Sequence, residues 1–126
     1  MAVIGLGRVG LPMANVFASK GVKVFGIDND MDLVRKINSG RVPFLEKGLA
    51  EYLPLAIKDK KLEATNNASM IRRCHVIIIS VGTPLTADLR PDYGQLYSAL
   101  QAVAANLTRA ALIVLRSTVA PMTTEN

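Results

Sequence analysis

The residues best suited to chemistry in this chain are three glycines close to its start. They form a G-x-G-x-x-G motif, which reads Gly5-Leu6-Gly7-Arg8-Val9-Gly10. It follows an apolar run and opens a helical pattern. In such a strand-to-helix turn, the first glycine permits the tight turn, the second lets a pyrophosphate approach, and the third lets the helix pack closely on the sheet. Free N–H groups and the positive end of the helix dipole then face the phosphates.

A carboxylate at the end of the next strand-like run completes the pattern. Asp28 comes eighteen residues after Gly10 and directly follows the run Val22 to Ile27. At this place an acid accepts hydrogen bonds from ribose hydroxyls and repels a 2′-phosphate. Strand, glycines, helix and acid in this order favour a dinucleotide site, with NAD preferred over NADP, against a merely structural glycine turn.

The elements that must position these residues alternate along the chain. Predicted strands cover residues 1–5, 22–27, 62–65, 75–81 and 111–115. Predicted helices cover residues 8–20, the stretch after a cap at Asn29 or Asp30, residues 46–57, a short stretch after Asn66 and Asn67, and the stretch around Leu96 to Leu107. The Val-Ile-Ile-Ile run of the fourth strand has no polar alternation, which is typical of a central parallel strand covered on both faces.

This alternation predicts an α/β fold with a doubly wound, mostly parallel sheet and helices on both faces, the Rossmann arrangement. A length of 126 residues fits one domain. We count five strands, and the full pattern has six. We therefore expect residues 1–126 to form one NAD-binding domain, a fragment of a longer enzyme that is cut at its C-terminal side and also lacks residues before Met1.

Apolar spacing also predicts which helix faces turn inward. Residues at helical period form one stripe on each helix. The predicted inward residues are Val9, Met13, Val16 and Phe17 in the first helix; Met31, Val34 and Ile37 in the second; and Leu96, Leu100, Val103 and Leu107 in the last.

The loops after the fourth and fifth strands hold the remaining site candidates. Gly82 would allow close approach of the nicotinamide-side ribose, and Thr83 offers a hydroxyl. Ser117 and Thr118 follow the fifth strand, and we expect both hydroxyls to point into the same crevice, because ligands bind where parallel strands end. The alternative is that these hydroxyls only cap loops and helices, as Ser and Thr often do.

Composition excludes several other classes of site. Cys74 and His75 are the only soft metal-ligand residues, and adjacent strand residues point to opposite faces, so we expect no metal site. Cys74 would lie at the amino end of a buried strand, away from the ligand side, which favours a structural role over a nucleophilic one. One cysteine permits no internal disulfide and indicates a cytoplasmic setting.

Charge and hydropathy indicate which kinds of partner the chain can bind. The net charge is +5, with scattered basic residues, which either solvate helix ends or provide a field for an anionic ligand. The six aromatic residues do not interleave with a basic stripe, so we expect no nucleic acid partner. No apolar stretch reaches the roughly 18–20 residues of a membrane helix, so we expect no membrane partner.

Five segments carry a family resemblance over nearly the whole chain. The glycine motif alone is shared by many dehydrogenases, whereas the Glu-x-Gly-Leu and Gly-Thr-Pro segments are far more specific. Together the segments resemble the UDP-glucose/GDP-mannose dehydrogenase family. They are residues 5–14, Asn38-Ser39-Gly40 with Pro43, Glu46-Lys47-Gly48-Leu49, Val81-Gly82-Thr83-Pro84 with Pro91-Asp92, and Ser117-Thr118-Val119-Ala120-Pro121.

The resemblance implies the NAD-binding domain of a nucleotide-sugar 6-dehydrogenase, which oxidises the sugar C6 alcohol to a carboxylate in two NAD-dependent hydride transfers. Thr118 matches the family threonine that helps position the catalytic water. The nucleophilic cysteine of the family belongs to a later domain and is not Cys74, so we expect the chain alone to be inactive. The substrate would be a UDP- or GDP-sugar, and the full-length enzyme a homo-oligomer.

By position, the resemblance also assigns the cofactor contacts. The pyrophosphate would be cradled by Gly5, Gly7, Arg8, Val9 and Gly10. Asp28 would hold the adenosine ribose. The nicotinamide half would be lined by Val81, Gly82, Thr83, Ser117 and Thr118.

One departure concerns the last loop, because the family commonly has a glycine where Met122 stands. Methionine enters a left-handed turn less readily than glycine. We therefore expect this loop to bend differently from that of the family, or to be disordered at a cut end.

Two other functions remain open at this stage. A β-hydroxyacid dehydrogenase shares the glycine motif and the Ser-Thr-x-x-Pro segment, but the Glu-x-Gly-Leu segment and the long loop 82–94 argue against it. A non-catalytic NAD(H)-sensing domain is the third interpretation, since a fold alone does not fix a function.

Overall fold

Five short parallel strands form one sheet in the computed structural model, which describes residues 1–125. In chain order they are β1 (Ala2–Ile4), β2 (Val24–Ile27), β3 (Leu62–Thr65), β4 (Val76–Ile79) and β5 (Leu112–Leu115). Across the sheet the order is β3-β2-β1-β4-β5, and every neighbouring pair is parallel. The predicted α/β fold with a doubly wound parallel sheet is therefore confirmed.

The direction in which the sheet grows reverses between β1 and β4. From β1 the chain builds outward through β2 and β3, then returns to the other side of β1 for β4 and β5. The ladder continues past the strand ends, because Gly5 donates its N–H to Ile27 O over 2.8 Å and Ser80 donates to Ile4 O over 2.7 Å. Ligands of open α/β sheets bind at this kind of reversal, beyond the carboxyl ends of the strands.

Helices cover both faces of the sheet, as predicted. They are α1 (Gly10–Ser19), α2 (Met31–Asn38), α3 (Leu49–Lys58) and α4 (Gly94–Asn106), with a 3-10 helix at Ala68–Arg73. The first three helices share one apolar core, and α4 and the 3-10 helix share the other. Of β4, Ile78 faces the first core, while Ile77 and Ile79 face the second. Within residues 1–125, no helix is both long and apolar enough to cross a membrane.

The inward face of α1 differs from the predicted one. Leu11, Ala14 and Ala18 enter the core, whereas Val9 and Val16 are 50% and 58% exposed. Met13 and Phe17 are partly buried and pack against this core, as predicted. The prediction was wrong for Val9 and Val16, because it followed the larger side chains, and a helix that packs closely on a sheet turns small side chains toward it.

The start of α3 also differs from its prediction. The helix begins at Leu49 rather than at residue 46, since Gly48 takes a left-handed conformation with φ 80° directly before it. In α2, Val34 and Ile37 are buried as predicted, but Met31 at the first position is 38% exposed.

The sheet edge formed by β5 is more exposed than its composition suggests. Leu112, Ile113 and Val114 are all exposed, although the run Leu-Ile-Val-Leu has the composition of a covered strand. On α4, Leu96 and Val103 are buried as predicted, but Leu100 and the C-cap residue Leu107 are exposed and Ala99 takes the inward place. Helical spacing selected the correct helix but only part of the correct face.

Candidate functional site

A crevice of about 770 Å³ lies where the sheet reverses, beyond the carboxyl ends of β1, β2 and β4. Its walls combine the glycine motif, the end of β2, the loop after β4 and one face of α4. The lining residues are Ile4, Gly5, Gly7, Ile27, Asp28, Asn29, Asp30, Asn66, Ala68, Ile71, Ser80, Val81, Gly82, Asp92, Gly94, Gln95, Ser98, Ala99 and Ala102. The crevice therefore lies where the fold predicts a ligand.

The three motif glycines have three different surroundings. A Cβ on Gly5 would lie 2.6 Å from Ser80 O, and its φ of 90° is a glycine conformation. A Cβ on Gly10 would lie 1.8 Å from Gly5 O. A Cβ on Gly7, by contrast, would meet no atom within 4 Å. Gly5 and Gly10 are thus required by the protein itself, whereas the space over Gly7 is open to a ligand.

The N-terminus of α1 leaves its backbone donors free. No side chain caps the helix, and its first turn contains no acidic residue. Among residues 1–125, no hydrogen bond uses the N–H groups of Gly7, Arg8 and Val9. Such donors, with the positive end of the helix dipole, form a site for an anion.

Arg8 and Val9 follow Gly7 but do not line the crevice. The Arg8 guanidinium carbon lies 5.3 Å from the ring centroid of Phe44, in the loop before α3. Gly10 is buried beneath the motif and is not a lining residue either. The backbone N–H groups of Arg8 and Val9 are the donors that the turn leaves free for a phosphate.

Asp28 ties the end of β2 to the glycine motif. Its Oδ2 accepts the N–H of Leu6 over 2.8 Å, and its Oδ1 accepts the N–H of Asp30 over 2.9 Å. These bonds hold the carboxylate in the crevice wall. A carboxylate has about four lone-pair sites, so acceptor positions remain for a ligand.

The loops after β4 and β5 are tied together rather than left free. Val81 and Gly82 line the crevice, but Thr83, Ser117 and Thr118 do not. Ser117 Oγ donates to Val81 O over 2.7 Å, and Thr83 Oγ1 donates to Thr118 O over 2.7 Å. The Ser117 hydroxyl therefore joins the two loops at Val81, a lining residue, and the expectation that it also reaches a ligand in the crevice stays a prediction.

The sequence interpretation missed the contribution of α4. Gln95, Ser98, Ala99 and Ala102 form one wall, and Gln95 Oε1 lies 3.3 Å from the place of a Cβ on Gly82. Small residues on one helix face could have indicated a neighbouring cavity. The helical periodicity instead predicted an apolar face that includes Leu96, Leu100 and Leu107.

Cys74 lies outside the crevice. Its side chain is buried, and Sγ donates to Met70 O over 3.4 Å. The thiol thus packs in the second core, as the structural interpretation predicts. Within residues 1–125, no group of three or more His, Cys, Asp or Glu side chains is placed to hold a metal ion.

The doubly wound sheet, the open glycine at its reversal and the acid at the end of β2 define a dinucleotide-binding domain. The sequence model described as the UDP-glucose/GDP-mannose dehydrogenase family, NAD binding domain, matches residues 1–126. The chain therefore belongs to this family, as its motifs indicate.

Curated relatives agree with this family. The UDP-N-acetyl-D-mannosamine dehydrogenase of Pyrococcus horikoshii is 39% identical over 125 residues, which are 99% of this chain and 30% of that protein. The UDP-glucose 6-dehydrogenase TuaD of Bacillus subtilis is 36% identical over 120 residues, or 94% of this chain and 26% of that protein. The chain thus spans less than a third of the length of these relatives.

Solved structures agree as well. A ternary complex of GDP-mannose dehydrogenase from Pseudomonas aeruginosa matches with a TM-score of 0.95 at 28% identity, covering 99% of this chain and 30% of that one. An arogenate dehydrogenase from Synechocystis matches with a TM-score of 0.65 at 17% identity, covering 98% of this chain and 34% of that one, which shows a shared fold alone.

Proposed function

We propose that the chain binds NAD across the crevice and forms the cofactor half of a nucleotide-sugar 6-dehydrogenase. The observation that carries this proposal is the open space over Gly7 beside the free N–H groups of Arg8 and Val9, at the reversal of the sheet. When bound in the whole enzyme, NAD would accept hydride from the sugar.

The pyrophosphate would lie over Gly7. The unused N–H groups there match phosphate oxygens, and the dipole of α1 favours negative charge at this end. Gly5 and Gly10 would act indirectly, because their close backbone contact gives the turn its shape.

The adenosine ribose would lie against Asp28. The two backbone bonds to its carboxylate orient the group before a ligand arrives, which lowers the ordering cost of binding. Asp30 adds a second carboxylate to the same wall, and the crevice lining contains no Lys or Arg among the residues described. A 2′-phosphate would meet like charge here, which supports NAD over NADP.

The nicotinamide half would extend along the loops after β4 and β5. Val81 and Gly82 already line the crevice. Next to them lie Thr83, Ser117 and Thr118. Ser117 is hydrogen-bonded to Val81, and Thr118 is hydrogen-bonded to Thr83. In the whole enzyme Thr118 would help to position the catalytic water, by the family match stated above.

The substrate would be a nucleotide sugar. The curated relatives are named for UDP-N-acetyl-D-mannosamine and UDP-glucose, and one matching structure is a GDP-mannose dehydrogenase. We further propose a cytoplasmic homo-oligomer without nucleic acid or membrane partners.

Calorimetric titration with NADH and NADPH tests the cofactor assignment. We expect NADH to bind the 126-residue chain at least about tenfold more tightly than NADPH. Asp28→Asn keeps the shape of the side chain but removes its charge. It should therefore weaken NADH binding and reduce the difference in affinity between NADH and NADPH. Asp32→Asn is the matched control, because Asp32 lies on α2 outside the crevice lining.

Circular dichroism must first show that both variants fold. Tighter binding of NADPH by the wild-type chain, or an unchanged preference in Asp28→Asn, would contradict the assignment of Asp28. Failure of the wild-type chain to bind either dinucleotide would contradict the proposed function itself.

A further inference from the structure

The segment after β5 follows a path that its own residues do not favour. Met122 has a φ of 67°, the left-handed conformation that glycine adopts more readily. Methionine thus takes here a conformation that it enters less readily than glycine does, and the expectation that this loop bends differently from that of the family stays a prediction. A residue in this strained conformation persists only where contacts of the surrounding segment hold the backbone in place, and we call these contacts anchors.

Two anchors hold the beginning of this segment, and a third holds it beyond Thr118. Ser117 and Thr118 are tied to the loop after β4 by the hydrogen bonds described above. Farther along, the N–H of Ala120 donates to the phenol oxygen of Tyr93 over 2.8 Å. Thr123 Oγ1 donates to Ala120 O over 2.7 Å, which closes the turn around the same residue.

Tyr93 is well placed to act as this anchor. It lies directly before α4, and its partly buried ring packs against the second core, to which Val119 also contributes. Its phenol oxygen serves as an acceptor, and the N–H that Ala120 donates to it lowers the pKa of Tyr93 below its usual value.

We propose that Tyr93 is a positioning residue for the nicotinamide half of the site, acting through Ala120 on the path of Ser117 and Thr118. This inference rests on the proposed function, which places that half of NAD beside these residues. Tyr93 also adjoins Asp92, Gly94 and Gln95, which line the crevice. One side chain therefore links the α4 wall to the segment after β5.

A role limited to core packing would need only the aromatic ring. Tyr93→Phe keeps the ring and removes the acceptor, so it separates the two roles. Tyr97→Phe is the matched control, because Tyr97 lies one turn later on α4 and is 62% exposed.

The test compares NADH with ADP, which lacks the nicotinamide and its ribose, by calorimetry on the 126-residue chain. The wild type should bind NADH more tightly than ADP. Tyr93→Phe should lose roughly three- to tenfold in NADH affinity, the size of one hydrogen bond, with ADP affinity unchanged. Hydrogen exchange at the Ala120 amide should accelerate in Tyr93→Phe and stay unchanged in Tyr97→Phe.

A second variant keeps the test decisive if Tyr93→Phe does not fold. Ala120→Pro removes the donor and leaves the phenol, and it should produce the same selective loss of NADH affinity. Equal losses for both ligands, or no loss in either variant, would overturn the role of Tyr93 while leaving NAD binding intact. A wild-type chain that binds neither ligand would overturn both proposals.

Discussion

The N-termini of α1 and α2 form a natural comparison, because both helices begin directly after neighbouring strands at the same end of the sheet. At α2, Asp30 accepts hydrogen bonds from the N–H groups of Asp32 and Leu33 over 3.0 and 3.1 Å. The helix also carries an acid in its first turn. At α1, Val9 stands at the cap position with no side-chain hydrogen bond, and the first turn has no acid.

The difference lies in what satisfies the backbone donors. Each helix start leaves N–H groups without partners inside the helix. In α2 the protein supplies the negative partner from its own side chain. In α1 it supplies an open glycine and no partner, so an anionic ligand can take this place.

The largest expected effect on stability comes from adding a side chain at Gly10, where α1 packs against Gly5. Gly10→Ala would place a methyl group 1.8 Å from the carbonyl oxygen of Gly5, and neither backbone can move freely. We expect a loss of at least about 3 kcal/mol in the free energy of unfolding, measured by urea denaturation.

Gly7→Ala is the matched control within the same motif. Its Cβ meets no atom within 4 Å, so the melting temperature should change by no more than about 2 °C. NADH binding should nevertheless weaken about tenfold or more, since the methyl group takes the space of the pyrophosphate. Equal destabilisation by the two substitutions would contradict the distinction between a structural and a ligand-facing glycine.

The next largest effect comes from placing an acidic residue at the N-terminus of α1, as Asp30 stands at the N-terminus of α2. Val9→Asp places a carboxylate at the cap position, where it interacts favourably with the helix dipole. We expect unchanged or slightly higher stability and at least about a tenfold loss of NADH affinity, because the new charge repels the pyrophosphate.

Val9→Asn separates charge from shape in that experiment. Asparagine has nearly the same size as aspartate but is neutral, so most of the NADH affinity measured by calorimetry should remain. An equal loss in both variants would show that the side chain blocks the site and that charge does not decide binding.

Much of this comparison is visible in the sequence. The glycine spacing, the acid eighteen residues later and the Asp-rich start of α2 are local patterns, and local patterns set strand ends and helix caps. The apolar run of β4 likewise identified a central strand, because a strand covered on both faces has no polar alternation.

A smaller effect is expected from removing the cap of α2. Asp30→Ala eliminates the acceptor for two backbone N–H groups, which should lower the free energy of unfolding by about 1 kcal/mol. Thermal or urea denaturation measures this change, and Asp59→Ala, directly after the end of α3, is a suitable control. No change in Asp30→Ala would mean that α2 does not depend on its cap.

The smallest effect concerns a polar group of α1 that does not face the ligand. Asn15 is buried, and its Oδ1 has no hydrogen-bond partner among residues 1–125. Asn15→Leu should raise the free energy of unfolding by about 0.5 to 1 kcal/mol, because it removes an unsatisfied buried acceptor. NADH affinity should stay the same; a change in affinity would place Asn15 in the site.

The parts that the sequence could not predict depend on contacts between distant segments. Ala14 and Ala18 turn inward because α1 packs closely on the sheet, a distance that helical spacing does not encode. Ser117 carries a hydroxyl suited to a ligand, but its partner is a carbonyl thirty-six residues earlier. The wall formed by Gln95 and Ser98 likewise becomes visible only when α4 is placed beside the loop after β4.

The most direct test of the account follows backbone amide resonances of the ¹⁵N-labelled chain during titration with NADH. The account predicts that the amides of Gly7, Arg8 and Val9 shift most, because they meet the pyrophosphate, while those of Asp32 and Leu33 shift less, since Asp30 already occupies them. Saturation with NADH that leaves the amides at the start of α1 unmoved, or shifts centred away from the crevice, would contradict it.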